Sequence, residues 1–173
     1  MTVEEYVEAR ASVEAFEADY ADGVPPLPVG GMHGFLVSHI TELLQNKFRE
    51  GNQYEFYYVL VGEVGIRFEK AYGADIAVFQ RKQFPEGLPS GLIENTVPQL
   101  IVEVVSTYDT VLEVEKKIMA YGKAGVGEFW FVKDELHVID VYRPNAATVR
   151  VGLDDLLSSY LGFTLSVREI LAR

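Results

Sequence analysis

Apolar positions along the chain fall into two rhythms. Phe35, Ile40, Leu43, Leu44 and Phe48 recur at helical spacing, and Gly51-Asn52 follows as a stop, so a helix is expected here. Residues 55–61 and 64–70 are rich in aromatic and β-branched side chains. The intervening Gly62-Glu63 suits a tight hairpin turn, in which glycine supplies positive φ. A third strand run, residues 74–79, completes the antiparallel start of a sheet.

Prolines and glycines make residues 80–96 a loop of a length that is often functional. LIVEVV, residues 100–105, reads as a strand covered on both faces, interrupted only by Glu103. Asp109 or Thr110 can cap a helix running to about Lys123, after which GEFWFV, LHVIDVYR and ATVRVG supply further strands. A short helix is expected near residues 166–171. At the other end, Thr2 and Glu5 form a capping box for a helix to about Arg10, and residues 23–31 are a Gly/Pro loop. The expected class is α/β, a mixed central sheet flanked by helices, in one domain spanning residues 1–173.

Composition narrows the chemistry. The 173 residues include no cysteine, which excludes disulfides, thiolate zinc sites and cysteine catalysis. The first residues are acidic and carry no signal-peptide pattern, and no apolar stretch approaches the ~20 residues of a membrane span, so a cytoplasmic address is expected. The formal charge of −11 lacks the basic signature usual among nucleic-acid binders. Cations held by clustered carboxylates, or local basic groups, are the ways round that deficit.

Glu103 is the most informative residue, because a carboxylate within an apolar strand is costly to bury unless a cation or lysine offsets it. An open strand end in water, or a partner arginine, would also satisfy it. Asp75 precedes the apolar run Ile76-Ala77-Val78-Phe79, where a strand enters the core. Two carboxylates on neighbouring strands make a hard oxygen site suited to Mg²⁺ or Mn²⁺. On the following helix, Val111, Val114, Ile118 and Tyr121 form the apolar stripe. At roughly 100° per residue, Lys117 lies about 80° from the stripe centre and Lys116 nearly opposite it. Lys117 is therefore expected to reach the sheet edge and Lys116 to face solvent, with a surface pair between Lys117 and Glu113 as the alternative. Asp109 either binds metal or caps the helix, and capping is the simpler role. Tyr121 and Trp130 fall inside apolar periodicities and are read as core or interface aromatics.

The stretch GADIAVF, VPQLIVEVVSTYDT, EKKIMAYGKAGVGEFWFV and VIDVYRP resembles the Uma2 family, whose fold is the PD-(D/E)XK core of restriction endonucleases. The likeness extends over nearly the whole chain and is strongest from residue 73 to 144. It implies Asp75 as the motif aspartate, Glu103 as the second acid, and Lys117 as a lysine displaced from the strand onto the helix, since Val105 holds the usual lysine position. It further implies Glu17 as a metal-side acid and His33 as a residue contacting phosphate or transferring a proton. Packing of His33 against the loop is the alternative. Ala74 and Thr107 depart from the family's prolines without removing a charge.

The first functional expectation is a Mg²⁺- or Mn²⁺-dependent endonuclease acting on DNA, with Asp75, Glu103 and Lys117 as its catalytic residues. It would act as a homodimer, supported by aromatics at Tyr57, Tyr58 and Trp130 and by exposed sheet edges. The alternative is a noncatalytic module for dimerisation or protein binding, favoured by the acidic charge. RNA or a small phosphorylated molecule is a third possible substrate class.

Overall fold

The computed structural model describes residues 30–106 and 109–173. The expected helix from Thr2 and the acid Glu17 lie outside them.

Helix α1, Gly31–Glu50, carries Leu36, Ile40, Leu44 and Phe48 at steps of four, and this row is buried against the sheet. Phe35 lies off that row and is 50 % exposed, its ring stacked on His39 at 5.6 Å. Lys47 and Arg49 in the last turn complement the negative end of the helix dipole.

The run after α1 departs from the expected hairpin. Residues 57–67 form one strand, β1, Tyr57–Arg67, and the chain reverses at residues 68–70 before β2, Ala71–Gln80. Gly62-Glu63 is a β-bulge: Val61 pairs with Ile76 and Val64 with Ala74, so two residues of β1 face the single residue Asp75. Gly62 at φ 89° and Glu63 at φ 48° supply the left-handed backbone expected of a turn, but within a continuous strand. Glycine and positive φ serve a bulge as well as a hairpin, and the apolar residues on both sides remain paired with β2.

The loop after β2 contains a 3-10 turn, Arg81–Gln83, and a two-residue edge strand, β3, Ile93–Glu94, which pairs with β1. β4, Leu100–Val104, is buried at every position, as its apolar run predicts. Helix α2, Val111–Ala124, then crosses to β5, Glu128–Lys133, which lies parallel to β4. Thr110 caps α2 through a capping box with Glu113, and Gly125 ends it at φ 78°. β6, Val138–Tyr142, and β7, Val149–Gly152, add antiparallel strands. The seven-stranded mixed sheet has the order β3-β1-β2-β4-β5-β6-β7. A small hairpin of β8, Leu156–Ser158, and β9, Thr164–Ser166, and the short helix α3, Val167–Ile170, follow.

The sheet separates two cores. One packs the α1 row with Ile76, Val78, Val102, Val104, Trp130 and Val132. The other packs Ile101, Phe129 and Phe131 with Tyr121 and Val126 from the α2 side. Ala74 belongs to the α2-side core and Ile76 to the α1-side core, although strict alternation would place both on one face. The break falls at Asp75, opposite the bulge. Trp130 is wholly buried, so it is core and supplies no dimer surface. No helix among the described residues is long and apolar enough to cross a membrane.

Candidate active site

Three elements bring the charged residues together. β2 and β4 are antiparallel, with Ile76 opposite Val102, so the next rung sets Asp75 beside Glu103. Asp75 Oδ2 accepts the backbone N–H of Val104 at 2.8 Å. The break in alternation leaves this carboxylate between the two layers, where His33 from the first turn of α1 also meets it, Nε2 to Oδ2 at 3.3 Å. His33 Nδ1 is buried and has no hydrogen-bond partner among the described residues.

Glu103 is 4 % exposed. Among the described residues its cationic partner is a lysine and not an arginine, and it is not left in water at an open strand end: Lys117 Nζ donates to Oε2 at 2.8 Å and to the carbonyl of Gly73 at 3.1 Å. The helix phase read from the apolar stripe is correct for Lys117. Val111, counted in that stripe, is the first residue of the helix and is 75 % exposed. Glu113 caps the helix with Thr110 instead of pairing with Lys117. Asp109 does not cap: its Oδ2 accepts the N–H of Ser106 at 2.6 Å and holds the turn between β4 and α2.

Tyr121 is the residue that sequence reasoning missed. Its ring is core, as expected, but its hydroxyl donates to Glu103 Oε1 at 2.5 Å. Lys117 and Tyr121 are one helical turn apart, and that i, i+4 spacing was the signal available.

Burial, the dominant cause, pushes the Glu103 carboxyl up to about 7, against the opposing pull of Lys117. The Lys117 ammonium is held above its ordinary value: burial opposes it, but the charges of Glu103 and Asp75 and the Glu103 hydrogen bond outweigh that cost. Hydrogen bonding to Asp75 raises the His33 pKa, partly offset by burial.

Among the described residues no group of three or more His, Cys, Asp or Glu side chains is placed to hold a metal ion. The donor set nevertheless suits a hard cation. Mg²⁺ is commonly held by one or two carboxylates, with water and phosphate oxygens completing the shell. Asp75 and Glu103 supply that number, and Asp75 Oδ1 accepts no hydrogen bond among the described residues.

Residues 3–168 match the Uma2 family, described as a putative restriction endonuclease. A crystal structure of a putative nuclease belonging to DUF820 from Anabaena variabilis ATCC 29413 shares the fold, with a TM-score of 0.73 and 20% identity over 85% of this chain and 83% of that one. No curated protein matches. With the match spanning nearly the whole chain and its mixed sheet found again in that nuclease-like fold, this protein belongs to the Uma2 family.

Proposed function

We propose that the protein is a metal-dependent endonuclease that hydrolyses phosphodiester bonds of DNA, with Asp75, Glu103 and Lys117 as its catalytic residues. The observation that carries this reading is the buried contact of Lys117 with Glu103 at 2.8 Å, on the rung where Glu103 lies beside Asp75. Asp75 and Glu103 would hold Mg²⁺ or Mn²⁺, and Glu17 is a further candidate acid for it. When bound, the cation supplies a water of lowered pKa and charge against the developing phosphorane.

The remaining work falls to the side chains. Lys117 orients the attacking water or neutralises the phosphoryl oxygens as charge accumulates on them. The attacking water gives up a proton as its oxygen forms the new P–O bond, the bridging P–O bond breaks in line, and the leaving oxygen takes up a proton. His33 stands against Asp75 and is positioned to contact the phosphate or transfer that proton. Two copies related by a twofold axis would let the enzyme cut both strands, and sedimentation velocity showing only monomer over the working concentration range would remove the homodimer.

Supercoiled plasmid, single-stranded DNA and RNA, each incubated with the native protein in Mg²⁺, Mn²⁺ or EDTA, test the reading. Metal-dependent cutting of DNA supports it; cutting of RNA alone would move the substrate class.

One observation favours a second reading, a noncatalytic nuclease-fold module for dimerisation or protein binding. Both oxygens of Glu103 already receive a protein donor, as they would in a purely structural ion pair. A folded native protein that cuts none of the three substrates in either metal would favour it.

A further inference from the structure

The Tyr121 ring and the Tyr121 hydroxyl answer different needs. The ring is wholly buried and is met edge-on by Phe129 at 5.7 Å, Tyr72 at 6.0 Å and Phe68 at 6.1 Å. Phenylalanine would make those contacts equally well. The hydroxyl must find a partner in that apolar setting, and it donates to Glu103 Oε1.

The terminal torsion of a glutamate is broad, so a carboxylate held by one donor can swing about it. Among the described residues Glu103 is held by two side-chain donors, one on each oxygen, both delivered by α2 from positions 117 and 121 on the same helical face. Lys117 alone fixes where Oε2 lies. The Tyr121 hydroxyl fixes the second oxygen and hence the plane of the group.

We propose that Tyr121 is a positioning residue that locks the plane of the Glu103 carboxylate toward the edge it shares with Asp75, and so sets the affinity of the site for a divalent cation. The inference rests on the reading of Asp75 and Glu103 as cation ligands. Groups that orient a metal ligand in this way typically change affinity by about 10- to 100-fold when removed.

The test is titration of the purified protein with Mn²⁺, following the paramagnetic resonance signal of the free ion, in native protein, Tyr121→Phe and Phe68→Leu. Phe68→Leu disturbs the packing around the same ring but leaves the hydroxyl in place. Native protein should bind Mn²⁺, Tyr121→Phe should bind it about tenfold more weakly, and Phe68→Leu should match the native protein. Equal affinity in native protein and Tyr121→Phe overturns the positioning role while leaving the cation site intact. So does an equal loss in both variants, or failure of Tyr121→Phe to fold, because the group then serves packing or folding. A native protein that binds no Mn²⁺ removes the cation site, and the inference with it.

Discussion

Glu103, Glu128 and Asp140 are all buried carboxylates on the sheet, yet their surroundings differ in kind. Asp140 receives two hydrogen bonds from the Arg150 guanidinium and one from Lys133; the Arg150 bonding dominates and holds its carboxyl below the usual range. Glu128 is bonded by Arg143, the Trp130 indole and the backbone of Tyr160. Glu103 has one lysine and one tyrosine among the described residues, and burial wins. Its raised pKa means that the folded state binds more protons than the unfolded state between about pH 4.5 and 7, so this group's contribution to stability falls as pH rises through that window. Lys117→Met removes the lysine that forms the ion pair with Glu103. We expect a loss of about 3 kcal/mol at pH 8, where the carboxylate is left buried and uncompensated. Urea unfolding should show a smaller loss at pH 5, where Glu103 takes up a proton, and a loss independent of pH would contradict the pairing. His33 is raised by its bond to Asp75, so its contribution is complete below its ordinary value of 6.5 and is lost as pH rises through the raised one. An NMR titration of the imidazole should give a midpoint above 6.5 in native protein and a lower one in Asp75→Asn. The same midpoint in both proteins would break the link between the two residues.

At the scale of elements, α2 and the β1 bulge place the site. The start of α2 and the inward face of Lys117 were legible, because capping chemistry and the 3.6-residue period are local properties of the sequence, but the choice of Thr110 over Asp109 as the cap was not. The bulge was not. Gly62-Glu63 carries the chemistry of a turn, and only pairing of the residues on both sides with β2 decides between a reversal and a bulge. The Tyr121 hydroxyl was hidden for a related reason: an aromatic inside an apolar stripe gives no sign of where its polar tip points. Gly62 adopts φ 89°, so Gly62→Ala should cost on the order of 1–2 kcal/mol by equilibrium unfolding, because a β-carbon is disfavoured there. An unchanged midpoint would mean that the bulge is not held in this conformation.

For the whole molecule, the α/β class and the central sheet could be read from alternating and continuous apolar runs, and the fold shared with the Anabaena variabilis protein agrees with them. The small β8–β9 hairpin was not anticipated, since its three-residue strands are too short for a periodic signal. The convergence of Asp75, Glu103 and Lys117 was legible only as a set. Each has an ordinary alternative in the sequence, and it is the antiparallel register of β2 and β4, with α2 above it, that brings them to one edge. A formal charge of −11 sets the direction of the functional question, because a DNA-cutting protein of this charge needs bound cations or local basic groups at its site. The most direct measurement is therefore plasmid cleavage in Mg²⁺ or Mn²⁺ by native protein, Asp75→Ala, Glu103→Ala and Lys117→Ala, each shown to be folded. The account predicts metal-dependent cutting by the native protein that falls at least about 100-fold in all three variants. Equal cutting by native protein and variants would contradict it.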